Sequence, residues 1–424
     1  MCELRLDARV LSLDEIAAHT TGAHRPLVIT GLTAHLDGEA SAAAFVEAQT
    51  FIKSAARGAS VSSCDSPILA LLGGNGPRRA LAEYLQHVVL DGTAFDDEPM
   101  VFDDGGFLSS ADGQELATRL HTERADAALG SGGGKLVFEM ATGTVGLTWH
   151  TNPRSWMELL VGKKRWFTAT LGNASVHFDE TLPTAAWVES ALGGDPFRQP
   201  SEGVCAFTQH PGEVVFIPDS LMSATYSFGY SVSYGRQDQR PQPNSYLQLL
   251  NAASRGPDVD EGSSTWARDS IDALRDGLAR YPLDFRFLAL DSHRLAAEAA
   301  AQLAAQHDAD ATDAALMAAL QQVDRSLAAN TLNLGAQFHR TELLSRLGFH
   351  DKALCAVWRA RNYLHPATRP LDRRWGEPHP SFSRRAALEY ADKMLDELAH
   401  KVPKMGGLGS GGQIDCGAVD ALAN

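Results

Sequence analysis

A histidine and a side-chain amide two positions apart, His150 and Asn152, have a spacing at which two side chains of one strand could bind a metal ion together. We expect both to lie on a strand, where side chains two positions apart point to the same face and could reach one point. A carboxylate at the second position would make the pair a ligand set for a divalent cation. The amide of Asn152 offers only a neutral oxygen.

Short strands are predicted around this pair, and they would have to position it. They are separated by Gly and Pro at a barrel-like spacing and cover residues 26–32, 99–104, 135–140, 156–160, 164–170, 213–217 and 230–234. In the run from Lys163 to Phe167, strand alternation places Lys164 and Trp166 on one face and Arg165 on the other. One basic side chain is therefore expected to point into the interior.

Taken together, four of these segments resemble the JmjC-type, cupin-like barrel of iron- and 2-oxoglutarate-dependent oxygenases. The segments are Pro26–Leu32, the His150 strand, Gly162–Phe167 and Pro211–Asp219. The resemblance covers roughly residues 20–237. It implies a double-stranded β-helix, or jelly-roll, barrel.

The same resemblance implies roles for individual residues. In that family a His-x-Asp/Glu pair and a distal His hold the iron, and a Lys pairs with the distal carboxylate of 2-oxoglutarate. His150, Asn152 and Ser223 stand at the three metal positions, and Lys164 stands at the cosubstrate position. Asn152 replaces the carboxylate and Ser223 replaces the distal imidazole, so we expect iron binding to be weakened or lost.

A second His-x-Asp pattern, His177-Phe178-Asp179, is followed at a distance by His210. In the layout of the resembled family the first three residues belong to a variable loop, and His210 precedes a Pro-Gly turn. We interpret them as surface-loop residues. The alternative is a relocated metal site built from His177, Asp179 and His210.

The composition divides the chain into four parts and predicts an α+β protein. Residues 1–240 are expected to form the barrel with N-terminal α/β elements, and residues 241–262 a linker. Residues 263–403 are rich in Ala, Leu and charge with helical periodicity, and residues 404–424 are a Gly-rich, disordered tail.

The helical part contains two similar segments, one leading into a helix through Leu295 and one into a helix through Leu347. The stretch from Leu343 to Pro366 resembles a tetratricopeptide (TPR) helix-turn-helix. An ordinary helical bundle that caps the barrel is the alternative.

The net charge and the cysteines limit the possible binding partners and the cellular compartment. The net charge of −15 over 424 residues, without a clustered basic stretch, disfavours nucleic acid as a partner. No apolar stretch approaches the roughly 20 residues that span a bilayer, and no signal peptide is recognisable. We therefore expect a cytoplasmic or nuclear protein that does not associate with a membrane. A disulfide framework is not expected, because the five cysteines are scattered at positions 2, 64, 205, 355 and 416.

Three functions remain in competition. The first is a catalytically impaired, JmjC-like binding or scaffold module whose helical domain binds a protein partner, with no confident cofactor. The second is an active Fe(II)/2-oxoglutarate-dependent protein hydroxylase or demethylase, in which Asn152 ligates through its amide or His210 substitutes for the missing histidine. In the third, the helical half carries the function and the barrel is passive.

Overall fold

A computed structural model gives the fold of the chain. The structure describes residues 3–21, 23–32, 67–71, 78–80, 100–103, 123–130, 134–141, 146–147, 149–151, 153–170, 184–229, 231–238, 245–255, 266–306, 309–330, 333–364, 384–402 and 416.

Thirteen strands, numbered in chain order, form two sheets within these ranges. The larger sheet has the order β1 (Leu4–Asp7), β2 (Leu27–Thr30), β11 (Glu213–Ile217), β8 (Ser155–Val161), β13 (Ser231–Gln237), β6 (Lys135–Ala141), β5 (Met100–Asp103), β3 (Pro67–Leu71), β4 (Arg78–Ala80). The smaller sheet has the order β10 (Val204–Gln209), β9 (Lys164–Thr170), β12 (Leu221–Ser227), β7 (His150–Thr151). Only the β1–β2 pair is parallel among these ladders.

The two sheets face each other across an apolar core. Its buried members come from both sheets: Val28, Val137, Met157, Val215 and Ile217 from the larger sheet, and Trp166, Phe207 and Leu221 from the smaller one. The prediction of a closed barrel is wrong, because the two sheets are separate. Among the described strands no ladder joins the two sheets, so the β part is a pair of facing sheets.

Ten helices lie in the described ranges. Their bounds are α1 (Leu13–Thr20), α2 (Glu123–Leu129), α3 (Thr184–Leu192), α4 (Tyr246–Ala253), α5 (Arg268–Arg280), α6 (Phe285–Gln306), α7 (Ala309–Ala329), α8 (Leu334–Arg346), α9 (His350–Leu364) and α10 (Arg384–Ala399). The α+β class is therefore confirmed. None of these helices combines the length and apolar character needed to cross a bilayer.

The chain divides into two compact units, one with both sheets and one with helices α5–α10. The division falls between Leu247 and Gln248, inside α4, so a helix occupies part of the stretch expected to be a linker. The buried side chains of Tyr246 and Leu249 explain this helix, because they give the segment an apolar face. The predicted tail lies outside the described residues except for Cys416.

Helices α8 and α9 form the helix-turn-helix expected near the end of the helical part. The side chain of Asn333 accepts a hydrogen bond from the backbone N–H of Ala336 and so caps α8. Gly348, with a φ of +81°, makes the left-handed turn between the two helices.

A disulfide bond contradicts the expectation that the scattered cysteines stay unpaired. Cys355 in α9 and Cys416 are bonded, and both are buried. Spacing along the chain did not reveal the pair, because the two residues are 61 positions apart and meet only through the packing of the helical unit.

A stacked pair of histidines in the helical unit should make its stability depend on pH. The rings of His293 and His339 lie 3.6 Å apart between centroids. Burial, and then the neighbouring His339, lower the pKa of His293 from 6.5 to about 4, although Glu342 acts in the opposite direction. The unfolded chain therefore binds more protons between these two pH values, and the stabilising contribution present above pH 6.5 is lost as the pH falls towards 4.

We expect His293→Gln to flatten this dependence, measured as the urea midpoint of unfolding between pH 4 and 7. The effect should be modest, because His293 remains partly exposed to water. The exposed His400 provides the control: His400→Gln should leave the slope of the wild type unchanged. Equal slopes for the wild type and His293→Gln would contradict the account.

Candidate functional site

Two of the three predicted metal positions lie side by side in the smaller sheet. His150 of β7 pairs directly with Ser223 of β12, which pairs in turn with Thr168 of β9. Thr168 lies two residues beyond Trp166, a member of the core between the sheets, so this row faces the interior. Paired side chains of this kind have Cβ atoms about 4.5–5.5 Å apart. Asn152 lies outside the described residues.

The strand that carries His150 is fixed by the residues before it. The backbone N–H of Leu147 donates a hydrogen bond to the Thr225 hydroxyl at 2.8 Å, and the backbone N–H of Thr225 donates to the Leu147 carbonyl at 2.9 Å. Trp149 packs edge-on against Trp187 of α3, with centroids 5.3 Å apart. Since Trp149 is held on the outer side of the sheet, the next residue, His150, is directed inward.

Gly146 allows this strand to approach β12 closely. A Cβ atom at this position would lie 1.8 Å from the carbonyl oxygen of Thr225, a distance that no side chain tolerates. The glycine at the start of the Gly146–Asn152 motif is therefore required by backbone packing, and the chemistry of the site places no demand on it.

The donor set at the paired positions does not fit an iron centre. His150 supplies one imidazole, and the group opposite it is the hydroxyl of Ser223, a weak ligand that stays neutral. Among the residues that the structure describes, no three His, Cys, Asp or Glu side chains are grouped so that they could hold a metal ion.

His210 lies too far from His150 to replace the missing histidine. It is exposed and follows Gln209, which pairs with Lys164 at the other end of β9. The row of paired residues that contains His150, Ser223 and Thr168 continues in β10 at Cys205. Cys205 lies five residues before His210, which corresponds to about 16 Å along a strand. His177 and Asp179, the other members of the relocated site, lie outside the described residues.

Lys164 points into the interior, as strand alternation predicts, and meets a carboxylate of the opposite sheet. Its Nζ lies 2.7 Å from Glu139 Oε2, and both side chains are fully shielded from solvent. The same ammonium donates a hydrogen bond to the Ser233 hydroxyl at 2.6 Å and contacts Met157 Sδ at 3.7 Å. We call Lys164, Glu139 and Ser233 the interior ion-pair cluster. It joins β9 to β6 and β13.

Burial and pairing act in opposite directions on Lys164. Burial lowers the pKa of its ammonium below the ordinary value, and the adjacent Glu139 carboxylate raises it. The carboxylate therefore favours the charged form of a lysine that burial alone would neutralise.

The other cations of the same run point outward. Lys163 Nζ lies 5.0 Å from the ring centroid of Phe197, and the Arg165 guanidinium lies 5.7 Å from it. Arg165 also donates a hydrogen bond to the Thr208 hydroxyl. These contacts agree with strand alternation, which leaves Lys164 as the inward residue of the three.

A buried glutamine organises the polar end of the interior next to Lys164. The amide oxygen of Gln209 accepts a hydrogen bond from the Trp166 indole at 2.8 Å. Its amide nitrogen donates to the carbonyl oxygens of Met157 and Glu213 at 2.9 and 2.8 Å. This end lies four residues from Thr168 along β9, about 13 Å from the row of His150.

Sequence reasoning missed Glu139 and Ser233. Both lie in strands, and no motif or local spacing links them to Lys164. Their direct pairing between β6 and β13 places the two side chains together opposite the lysine. The one available signal is the charged Glu139 within the apolar run from Leu136 to Ala141.

Comparison with known proteins assigns no family. No protein-family model matches the chain. A search of curated proteins returns no significant match. The resemblance to JmjC-type oxygenases therefore stays a prediction from the sequence.

Replacing Gly146 with Ala should destabilise the unit with both sheets by about 1–3 kcal/mol, because the methyl group would force β7 away from β12. Chemical denaturation measures the change. Gly335, which is exposed in α8 and has room for a Cβ, serves as the control. Gly335→Ala should be neutral or slightly stabilising, and a similar loss in both variants would argue against the close approach.

Removing one member of the interior ion-pair cluster should cost much more than removing an exposed ion pair. We expect Lys164→Met or Glu139→Gln to lower the free energy of unfolding by about 3–5 kcal/mol, since each leaves a buried polar partner unsatisfied. The double variant should lose less than the sum of the two single losses.

Arg9 and Asp7 form the matched control, because they make an ion pair of similar length, 2.8 Å, on the surface. Arg9→Met should change the free energy of unfolding by less than about 1 kcal/mol. Additive losses at positions 139 and 164 would show that the two side chains do not interact.

Proposed function

We propose that this chain is a JmjC-like protein whose two facing sheets form a jelly-roll without a working iron centre, so that it acts as a binding or scaffold module. The observation that carries the proposal is the direct pairing of His150 with Ser223. It is supported by the correspondence between this pairing and the positions at which the resembled oxygenases place two histidines.

The chemistry of the paired groups favours loss of catalysis. A facial triad for Fe(II) needs two imidazoles and a carboxylate around three open coordination sites. Here one imidazole is accompanied by an alcohol and, at position 152, an amide. Neither group carries the negative charge or the basic nitrogen that would compensate a divalent cation for its lost hydration.

The state of Lys164 supports the same proposal. In the resembled oxygenases a lysine at this position receives the distal carboxylate of 2-oxoglutarate. The ammonium of Lys164 already lies 2.7 Å from Glu139, inside a region closed to solvent. An incoming dicarboxylate would have to displace a carboxylate that is covalently part of the chain.

The helical unit is the proposed site for a protein partner, as a TPR-like array. Large apolar side chains remain exposed on its helices and turns, including Leu303, Met317, Phe349 and Tyr390. Scattered exposed apolar side chains are ordinary on protein surfaces, so this part of the proposal depends on the resemblance of the unit to a repeat array. The α8–α9 helix-turn-helix is the segment that most resembles a repeat of this class.

Restoring the missing ligands should create metal binding that the natural chain lacks. We expect the wild type to show no saturable binding of Mn(II) or Co(II) below about 100 µM in a calorimetric titration. Ser223→His should strengthen Co(II) binding by roughly tenfold or more, because the new imidazole lies opposite His150. Adding Asn152→Asp to this variant should increase the affinity for Co(II) further and give a stoichiometry of one ion per chain.

The control is His150→Ala in the restored variant, which should abolish the gain while leaving the circular dichroism spectrum unchanged. Micromolar binding of Mn(II) by the wild type, lost on His150→Ala, would contradict the proposal.

A further inference from the structure

The interior ion-pair cluster has the composition of a binding site for a small carboxylate. An ammonium and a hydroxyl, Lys164 Nζ and Ser233 Oγ, lie at hydrogen-bonding distance from each other beside an apolar core. The carboxylate that lies next to this ammonium belongs to Glu139 and comes from the opposite sheet. Charge-assisted contacts of this kind are the strongest that proteins make to carboxylates.

Additional polar atoms at the same end have no protein partner. Among the described residues, neither carboxylate oxygen of Glu139 accepts a well-aligned hydrogen bond, so Oε2 contacts Lys164 Nζ as an ion pair, by proximity of charge. The hydroxyls of Ser227 and Ser231 are buried and also form no hydrogen bond. Ser227 pairs directly with Lys164, and Ser231 lies two residues before Ser233 on the same face of β13. Buried polar atoms without protein partners are ordinarily satisfied by water or by a ligand.

We propose that Lys164, with Ser233, forms a carboxylate-binding site inside the facing sheets whose permanent occupant is the protein's own Glu139. Glu139 thereby excludes free carboxylates from the interior. The site becomes available to a short monocarboxylate when the Glu139 side chain is shortened. This inference does not depend on the metal positions, which lie in another row of the smaller sheet.

The geometry selects acetate as the probe. Changing Glu139 to Ala removes four heavy atoms, a methylene carbon and the carboxylate group. Acetate has the same four heavy atoms, so it can fill the vacated volume and restore the charge next to Lys164. A bulkier anion such as pivalate carries the same charge but exceeds this volume.

The experiment is thermal unfolding of the full chain in increasing sodium acetate, compared with sodium chloride and sodium pivalate at equal ionic strength. Glu139→Ala should melt well below the wild type in chloride, and acetate should raise its Tm saturably by roughly 2–4 °C. The wild type should respond equally to all three salts. Glu139→Ala/Lys164→Met should not respond to acetate, because the ammonium that binds it is gone.

Three outcomes would overturn the proposal: no acetate effect on Glu139→Ala, an equal effect on the wild type, or an equal effect on the double variant. If Glu139→Ala does not fold in chloride, the recovery of folded protein after refolding in acetate or chloride replaces the Tm. The proposal then requires a higher recovery in acetate.

If refolding fails in both salts, the stability of the isosteric variant Glu139→Gln tests the proposal. Lys164→Met must then recover part of the stability that Glu139→Gln loses, because no other described carboxylate lies near the ammonium. A double variant no more stable than Glu139→Gln would refute the assignment. Metal binding by the natural chain would leave all these results unchanged, so the failure of the two proposals can be distinguished.

Discussion

The neutralisation of one buried ammonium is the constraint on which the β part of this protein depends. A lysine that is fully shielded from solvent must either lose its proton or find a carboxylate, since an isolated charge in a protein interior is strongly unfavourable. Lys164 finds Glu139 at 2.7 Å, across the space between the two sheets. The contact therefore fixes the smaller sheet against β6 and β13 and uses the single inward charge of the Lys163–Arg165 run.

The ion pair between Lys164 and Glu139 also affects what the interior of the two sheets could bind. A pocket that recruits an anion needs an uncompensated positive charge, and one that holds a divalent cation needs several negative or strongly basic ligands. In the interior described here the positive charge is compensated within the chain. The row of His150 offers an imidazole, a hydroxyl and a threonine. These two features are the basis of the proposed binding or scaffold role.

Much of the β architecture could be predicted from local sequence. The strands at Lys164–Thr170 and Glu213–Ile217 have the predicted bounds, because Gly and Pro residues close to their ends mark the turns. Alternation also predicted which residue of the basic run points inward. The helix Tyr246–Ala253 was missed, because the surrounding Pro and Gly residues indicated a linker while a short apolar face was enough to form a helix.

Contacts between distant parts of the chain could not be predicted. Glu139 and Lys164 meet because sheet order and register bring β6 and β9 to opposite sides of one interior, and neither property is encoded in a local pattern. The Cys355–Cys416 bond has the same origin in the helical unit. The resemblance to JmjC oxygenases implied metal positions at 150 and 223 but gave no indication that a carboxylate of the chain itself would reach the lysine.

The most direct test is a crystal structure of the 424-residue chain grown with manganese and an unreactive mimic of 2-oxoglutarate. We expect Lys164 to remain paired with Glu139, with no anomalous scattering peak between His150 and Ser223. A manganese peak at that position, with the carboxylate of the mimic on Lys164 in place of Glu139, would contradict it.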